Sequence, residues 1–487
     1  MEINMNNINF THWIRYSVTF RIAIIGVLAL LLLIPISMVK NLIYERERTK
    51  RAAVSEISQK WGEQQTIAGP ILSVPYKKYI INEKGERVGV TQYAHFLPET
   101  LLIDGAIKPQ IRSRGIFDAV VYSSEINFSG KFAQPNILNL GIENIEADWD
   151  NAFISVGISD ARGIENELKL NWDNTEIEFK PGVQTSDVIR SVGNNYEIMP
   201  YEGDHLETKA LSVSDQSARI DIEQGLGISA PLPASIKNKN ADGYEFSFKL
   251  NLNGSRDLHF IPVGRTTEIS LRSDWDKPSF GGAFLPDTRT VADDGFEASW
   301  KILDLNRGYP QSWLGSAYNI YSSASGVKLL AGIDGYAKST RSVKYAILII
   351  VLTFLVFFFA EVFNRKKVHP IQYILVGLAI VLFYALLVSI SEIAGFGWAY
   401  LISSAATIGL ISFYSKSVLA NAKMALIQGS ILAFLYLFVY IILQLEDYAL
   451  LIGSALLFSI LAVVMYLSRK VDWYAVGGNT QKDAPRQ

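Results

Sequence analysis

Apolar and polar positions divide this chain into two populations. Ile22–Val39, IAIIGVLALLLLIPISMV, holds no charged side chain. About 20 mostly apolar residues carry a helix across the hydrocarbon core, so this stretch predicts a first membrane span. No small-x-small cleavage pattern follows it, and Lys40–Trp61 continues with helical character, which favours an uncleaved anchor over a signal peptide. Apolar runs return late in the chain, at Tyr345–Phe363, Ile371–Phe413, Met424–Leu443 and Tyr448–Leu467. The second of these is too long for one helix and divides into Ile371–Ser391 and Gly397–Tyr414. Six spans result, with both termini on one side.

The stretch between the first two spans has a different period. EFSFKLNLNGSRDLHFIPVG alternates on both sides of Asn253-Gly254, a strong hairpin dipeptide. VPYKKYIINEKGERVGVTQYAHFL predicts a second hairpin turning at Lys84-Gly85, and TTEISLRSDW and GFEASWKIL predict short strands. Strands punctuated by turns suggest a sandwich of two stacked sheets. Trp-Asp recurs at Trp149, Trp172 and Trp275, but its uneven spacing makes no repeat. The expected fold class is therefore an α+β membrane protein: six transmembrane helices, with a large β-rich, sandwich-like domain inserted between helices 1 and 2. The expected divisions are 1–21 (tail), 22–39 (anchor), 40–342 (β-rich domain), 343–467 (five-helix bundle) and 468–487 (tail). Gly335–Lys344 is expected to be helical at the membrane-proximal edge.

Charge sets the orientation. Lysine and arginine in short loops prefer the cytoplasm. Arg365, Lys366 and Lys367 follow the second span, Lys416 and Lys423 lie between the fourth and fifth, and Arg469 and Lys470 follow the sixth. The alternate loops, EIAGF and QLED, carry neither residue type. Both termini are thus expected in the cytoplasm and the β-rich domain outside. Lys40, Arg46, Arg48, Lys50 and Arg51 run against this pattern, but long translocated domains obey the rule weakly. The net charge of −2 offers no basic field for nucleic acid. The absence of cysteine removes disulfides, thiolate metal sites and a cysteine nucleophile.

Catalytic motifs are missing. There is no HExxH, P-loop, dinucleotide fingerprint, GxSxG elbow or EF-hand loop. Glu202, Asp204, His205 and Glu207 crowd into YEGDHLE, whose simplest reading is a solvated loop. No cofactor and no metal site are expected. PSFGGAFLPDTRT is the most distinctive outer stretch, and Phe280, Gly281, Gly282 and Phe284 form a candidate binding loop. Inside the spans, Glu361 is expected to pair with Arg365 one turn on. Ala405/Gly409, Gly429/Ala433 and Ala449/Gly453 have the small-xxx-small spacing of close helix packing. Glu392 is the one charged residue in Ile371–Phe413. Counting from Ile371 places it at the start of an outer turn, with Trp398 and Tyr400 in the interfacial belt. There it is a candidate contact between outer domain and bundle, through Lys338, Arg341 or Lys344.

Three blocks carry a resemblance: SFGGAFLPDTRTVADDGFEASWKI, RSRGIFDAVVYSSEINFSGKF, and the long run from Arg341 to Tyr414, including His369-Pro370 and Ser391-Glu392. Together they resemble the CreD family, inner-membrane cell envelope integrity proteins of Gram-negative bacteria. The resemblance covers nearly the whole chain. It implies a multi-pass inner-membrane protein with a periplasmic domain, linked to envelope integrity, stress response, colicin tolerance and β-lactam response, and under Cre two-component control in some relatives. It supplies no catalytic residues. The expected function is non-enzymatic, with the periplasmic domain binding or sensing an envelope component. The expected partners are the lipid bilayer and other envelope proteins or peptidoglycan components, with no nucleic acid. The alternatives are a transporter, an insertase-like protein and an envelope hydrolase. A transporter lacks an obvious polar path through the spans. The layout also matches the YidC insertases, but only as architectural analogy.

Overall fold

The computed structural model of the chain describes residues 18–81, 85, 87–136, 140, 146–189, 226–233, 243–330, 335–364, 368–419, 421–445 and 448–469. Two compact units emerge: Met1–Arg51 with Asp334–Gln487, and Ala52–Ile333.

The second unit is built on two mixed β-sheets. In the first, Gln65–Ile81 lies between the parallel strand Asp257–Ile261 and the antiparallel strand Phe153–Ile158. In the second, Thr100–Arg114 lies between the parallel strand Thr266–Ser273 and the antiparallel strand Phe117–Phe132. The two sheets thus repeat one arrangement, a long strand between a parallel and an antiparallel neighbour. Period-2 alternation makes one face of each strand apolar. Thr100–Arg114 buries Leu101, Ile103 and Ile107, and Tyr244–Ser255 buries Phe246, Phe248, Leu250 and Leu252. The inner faces of both sheets share one core. Phe128 of the second sheet stacks on Phe248 at 4.6 Å and meets Phe260 of the first at 6.3 Å. Full burial of a phenylalanine side chain contributes roughly 1.5–3 kcal/mol.

The hairpin turning near Gly85 forms as expected, with Leu72 opposite Phe96 and Ile81 opposite Arg87. The strands read from TTEISLRSDW and GFEASWKIL are Thr266–Ser273 and Gly295–Leu303, paired with each other. Asn253-Gly254 makes no turn. Both residues lie inside Tyr244–Ser255, and the next strand, Asp257–Ile261, belongs to the other sheet. Arg256, with φ of 62°, makes the crossing. Gly254 is needed for close approach instead: a Cβ there would sit 2.4 Å from the Tyr122 hydroxyl.

In the other unit, helices α1 (Val18–Leu31) and α2 (Leu33–Trp61) follow one another, and α2 crosses the unit boundary at Arg51. After the β unit come α3 (Gly335–Lys344), α4 (Ala346–Asn364), α5 (Pro370–Leu419), α6 (Ala422–Gln444) and α7 (Ala449–Ser468). Among the described residues three helices are long and apolar enough to cross a membrane: Phe20–Trp61, Pro370–Val418 and Ala422–Gln444. A fourth candidate is the bent pair of α3 and α4. α5 is broken at Gly395, where φ is 77°. A straight helix would hold Phe383 and Tyr400 about 25 Å apart, yet their ring centroids lie 5.4 Å apart. The helix therefore folds back on itself as a hairpin with two arms. Asn421 caps α6 by accepting from the backbone N–H groups of Lys423 and Met424. Of the small-xxx-small positions, Gly429 is packed, since a Cβ there would meet Ser412 Oγ at 2.4 Å; Gly409 and Gly453 have open space around them.

Candidate functional site

The charged groups of the helical unit gather around two carboxylates. Glu392 lies three residues before the Gly395 break, in helical backbone, so the turn comes slightly later than the sequence count places it. Its side chain is 10% exposed. Oε1 accepts a 2.8 Å hydrogen bond from Tyr336 Oη of α3 and stands 3.8 Å from Arg46 Nε of α2. Lys50 of α2 lies over the Tyr336 ring at 5.6 Å.

Of the three cations named from the sequence, Lys338 turns elsewhere. Its Nζ donates to Gln444 Oε1 of α6 at 2.6 Å and lies 5.9 Å above the Phe396 ring. Arg341 and Lys344 occupy the last turn of α3, where positive charge suits the helix C-terminus. Arg46, which is not one of those three, stands beside Glu392. It was hidden because it sits early in the chain, among residues whose sign contradicts the orientation rule. All of these residues fall within the helical unit. The cluster ties α2, α3, α5 and α6 together.

Glu361 of α4 is the second carboxylate and is 5% exposed. Arg21 Nη1 of α1 donates to Oε1 at 2.8 Å, and Tyr373 Oη of α5 donates to Oε2 at 3.2 Å. The expected partner, Arg365, lies outside the described residues. No local spacing points to Arg21, which is 340 positions away. A buried carboxylate needs a cation and hydrogen bonds to be tolerated, and this one has both.

In the β unit, Phe280, Gly281 and Gly282 belong to a strand, Pro278–Gly282, paired with Ser325–Leu329. The Phe280 ring meets Phe296 at 5.5 Å and Trp300 at 5.9 Å. Phe284 is held by its backbone: its N–H donates to Ser325 Oγ and its carbonyl accepts from Trp300 Nε1. Gly282, with φ of 104°, leaves no room for a side chain against Ala324. The stretch read as a loop is thus an anchored sheet edge, and Leu285 beyond it is 66% exposed.

One grouping escaped the sequence altogether. Ser73 Oγ meets His95 Nδ1 at 2.9 Å, and Asp187 Oδ2 stands 3.5 Å from His95 Nε2. Nucleophilic Ser–His–Asp sets place the serine on Nε2 and the acid on Nδ1; here the order is reversed. Ser73 and His95 are 2% and 0% exposed, so Oγ is closed to a substrate. Cross-strand register, Ser73 opposite His95, brings this pair together inside the sheet.

Among the described residues no group of three or more metal-ligating side chains converges. The cluster Glu202, Asp204, His205 and Glu207 lies outside them. A family model described as inner membrane protein CreD matches residues 17–474. Inner membrane protein CreD of Escherichia coli (strain K12) is 30% identical over 452 residues, covering 92% of this chain and 91% of the relative. With apolar helices of membrane-crossing length and a match over nearly its whole extent, the chain belongs to the CreD family of inner membrane proteins.

Proposed function

We propose that the chain is a non-enzymatic, multi-pass protein of the Gram-negative inner membrane that supports cell envelope integrity and the envelope-stress response. In this reading the β unit lies in the periplasm and binds or senses an envelope component. The helical unit crosses the bilayer six times, with both termini in the cytoplasm. The proposed divisions are a tail to residue 21, an anchor at 22–39, the outer domain at 40–342, the bundle at 343–467 and a tail at 468–487. The observation that supports this best is the α5 hairpin. Each arm, on either side of Gly395, is long enough at 1.5 Å per residue to cross a core of about 30 Å. Doubling α5 makes the even span count that the loop charges require.

The test uses the absence of cysteine. Leu285→Cys, at an exposed position of the β unit, should react in intact cells whose outer membrane has been made permeable to an impermeant thiol reagent. Labelling only after the inner membrane is opened rejects the periplasmic placement. Deletion of the gene should then sensitise cells to envelope stress, and the full chain should restore resistance. Undiminished resistance in the deletion strain rejects the envelope role.

A further inference from the structure

The helical unit also buries polar groups that carry no charge. Four side chains leave hydrogen-bonding atoms without a partner in helices α5 and α6: the hydroxyls of Tyr384, Ser403 and Tyr436, and both amide atoms of Gln428. All four residues are 2% exposed or less. Both helices are candidate membrane spans. An unsatisfied polar group in hydrocarbon costs several kcal/mol, and each one in a native protein calls for a reason.

Tyr384 and Tyr436 gather around one ring. The Phe383 ring packs on Tyr384, Tyr400 and Tyr436, with centroids 4.8, 5.4 and 4.8 Å away. Tyr400 Oη donates to the Tyr436 carbonyl at 2.8 Å, and the Tyr400 and Tyr440 rings lie 5.2 Å apart. At the other end, Gly429 faces Ser412. The second arm of α5 and α6 therefore run antiparallel in contact from Ser412/Gly429 to Tyr400/Tyr440, about 16 Å at 1.5 Å per residue. Gln428 sits beside one end of this seam. Two helical turns on, Tyr436 lies on the same buried face of α6, and Ser403 is on the buried face of α5 one turn from Tyr400.

We propose that this seam is a hydrated site inside the bundle, which holds water against Tyr384, Ser403, Tyr436 and Gln428. The chemistry of the lining selects the occupant. Every one of these groups can both donate and accept, and none is charged. Glu392, Lys416 and Lys423 are the only ionisable side chains of α5 and α6 apart from tyrosines. An ion would therefore lie there without a counter-charge, which is strongly unfavourable. Water meets the same groups with two to four hydrogen bonds of its own. The proposal rests on α5 and α6 crossing the bilayer and is independent of the envelope role.

The experiment uses full-length protein in native membranes and one cysteine at a time. A methanethiosulfonate reagent reacts with thiolate, and apolar surroundings suppress thiolate by raising the thiol pKa. Ser403→Cys and Gln428→Cys should react at least about tenfold faster than two references, since one unit of pKa is a tenfold change in thiolate. Phe434→Cys is the lipid-facing reference, at a position 62% exposed, and Phe357→Cys is the dry-packed one, at a position 0% exposed. Rates no faster than the references overturn the proposal. A second measurement covers variants that fail to fold. If Tyr436 Oη bonds to water, Tyr436→Phe lowers the thermal midpoint in detergent; if that hydroxyl is a dry orphan, removing it raises the midpoint, and a rise overturns the proposal.

Discussion

Asp257 and Glu361 are two carboxylates buried to the same degree, with side chains 3% and 6% exposed. Their surroundings differ. Asp257, in the β unit, has Lys328 Nζ at 3.8 Å and leaves Oδ1 without a hydrogen-bond donor. Burial raises its pKa above the ordinary aspartate range, more than Lys328, His259 and Arg256 lower it. Glu361, in the helical unit, is gripped by Arg21 and Tyr373 at hydrogen-bond distance. A carboxylate buried within the sheets survives poor pairing by taking up a proton more readily. One packed among apolar helices needs an ion-pair partner in place. The same burial is therefore met by a loosely placed lysine in one unit and by a hydrogen-bonded clamp in the other.

The clamp predicts the largest effect. Glu361→Ala removes the carboxylate that Arg21 and Tyr373 both hold and should destabilise the helical unit by about 3–5 kcal/mol. Thermal unfolding in detergent measures this. The double replacement Arg21→Met with Glu361→Leu should recover most of the loss, because a buried ion pair exchanged for apolar side chains is often neutral. If the double variant is as unstable as the single one, the pair does more than satisfy itself, and the contrast with Asp257 weakens.

This pair also shows where sequence reading reaches and where it stops. Helices of membrane-crossing length, such as Ala422–Gln444, were legible from apolar runs because bilayer thickness dictates the length such a run needs. Strands such as Gly295–Leu303 were legible from period-2 alternation. Both are properties of contiguous residues. Arg21–Glu361 and Arg46–Glu392 are not, since topology alone joins positions hundreds of residues apart. Glu392 itself was legible as a lone charge in an apolar block, but its partners were sought on the nearest basic helix. Asn253-Gly254 failed for the converse reason. A local turn signal was overridden by packing, because Gly254 is needed under Tyr122 and Arg256 makes the sheet crossing. The reversed Ser73–His95–Asp187 set left no local trace, as register and a long connection build it.

Tyr336→Phe tests the second carboxylate cluster. It removes one hydrogen bond to a charged acceptor, and such bonds contribute about 1.5–3 kcal/mol, so a loss near the lower figure is expected in the same unfolding assay. No measurable loss means that Glu392 is held by charge rather than by the Tyr336 hydroxyl.

Asp257→Asn should act in the opposite direction and stabilise the β unit at neutral pH by about 1 kcal/mol, by removing a poorly solvated charge. The sign follows from proton linkage. Asp257 has a folded-state pKa above its unfolded one, so its contribution is full below the ordinary value of 3.8 and is lost as pH rises through the folded value. The advantage of the asparagine variant should therefore grow as pH rises out of the acid range and then level off. His259 works the other way: burial lowers its pKa from 6.5, so its contribution is present above that value and fades as pH falls through the lowered one. Tryptophan fluorescence of the unfolding transition across pH separates the two. An advantage for the variant that shrinks with rising pH contradicts the assignment.

Arg46→Ala should have the smallest effect, below about 0.5 kcal/mol. Arg46 is 49% exposed and its Nε stands 3.8 Å from Glu392, so water screens the pair and no short hydrogen bond is lost. The ratio between Arg46→Ala and Tyr336→Phe is the informative quantity. If the arginine costs less, Glu392 follows the pattern of a carboxylate held by a neutral donor, between the extremes set by Asp257 and Glu361. If the two cost the same, charge fixes Glu392 despite the exposure of its partner. The cluster would then be a second clamp like Arg21–Glu361, and strict pairing would hold at both buried carboxylates of the helical unit.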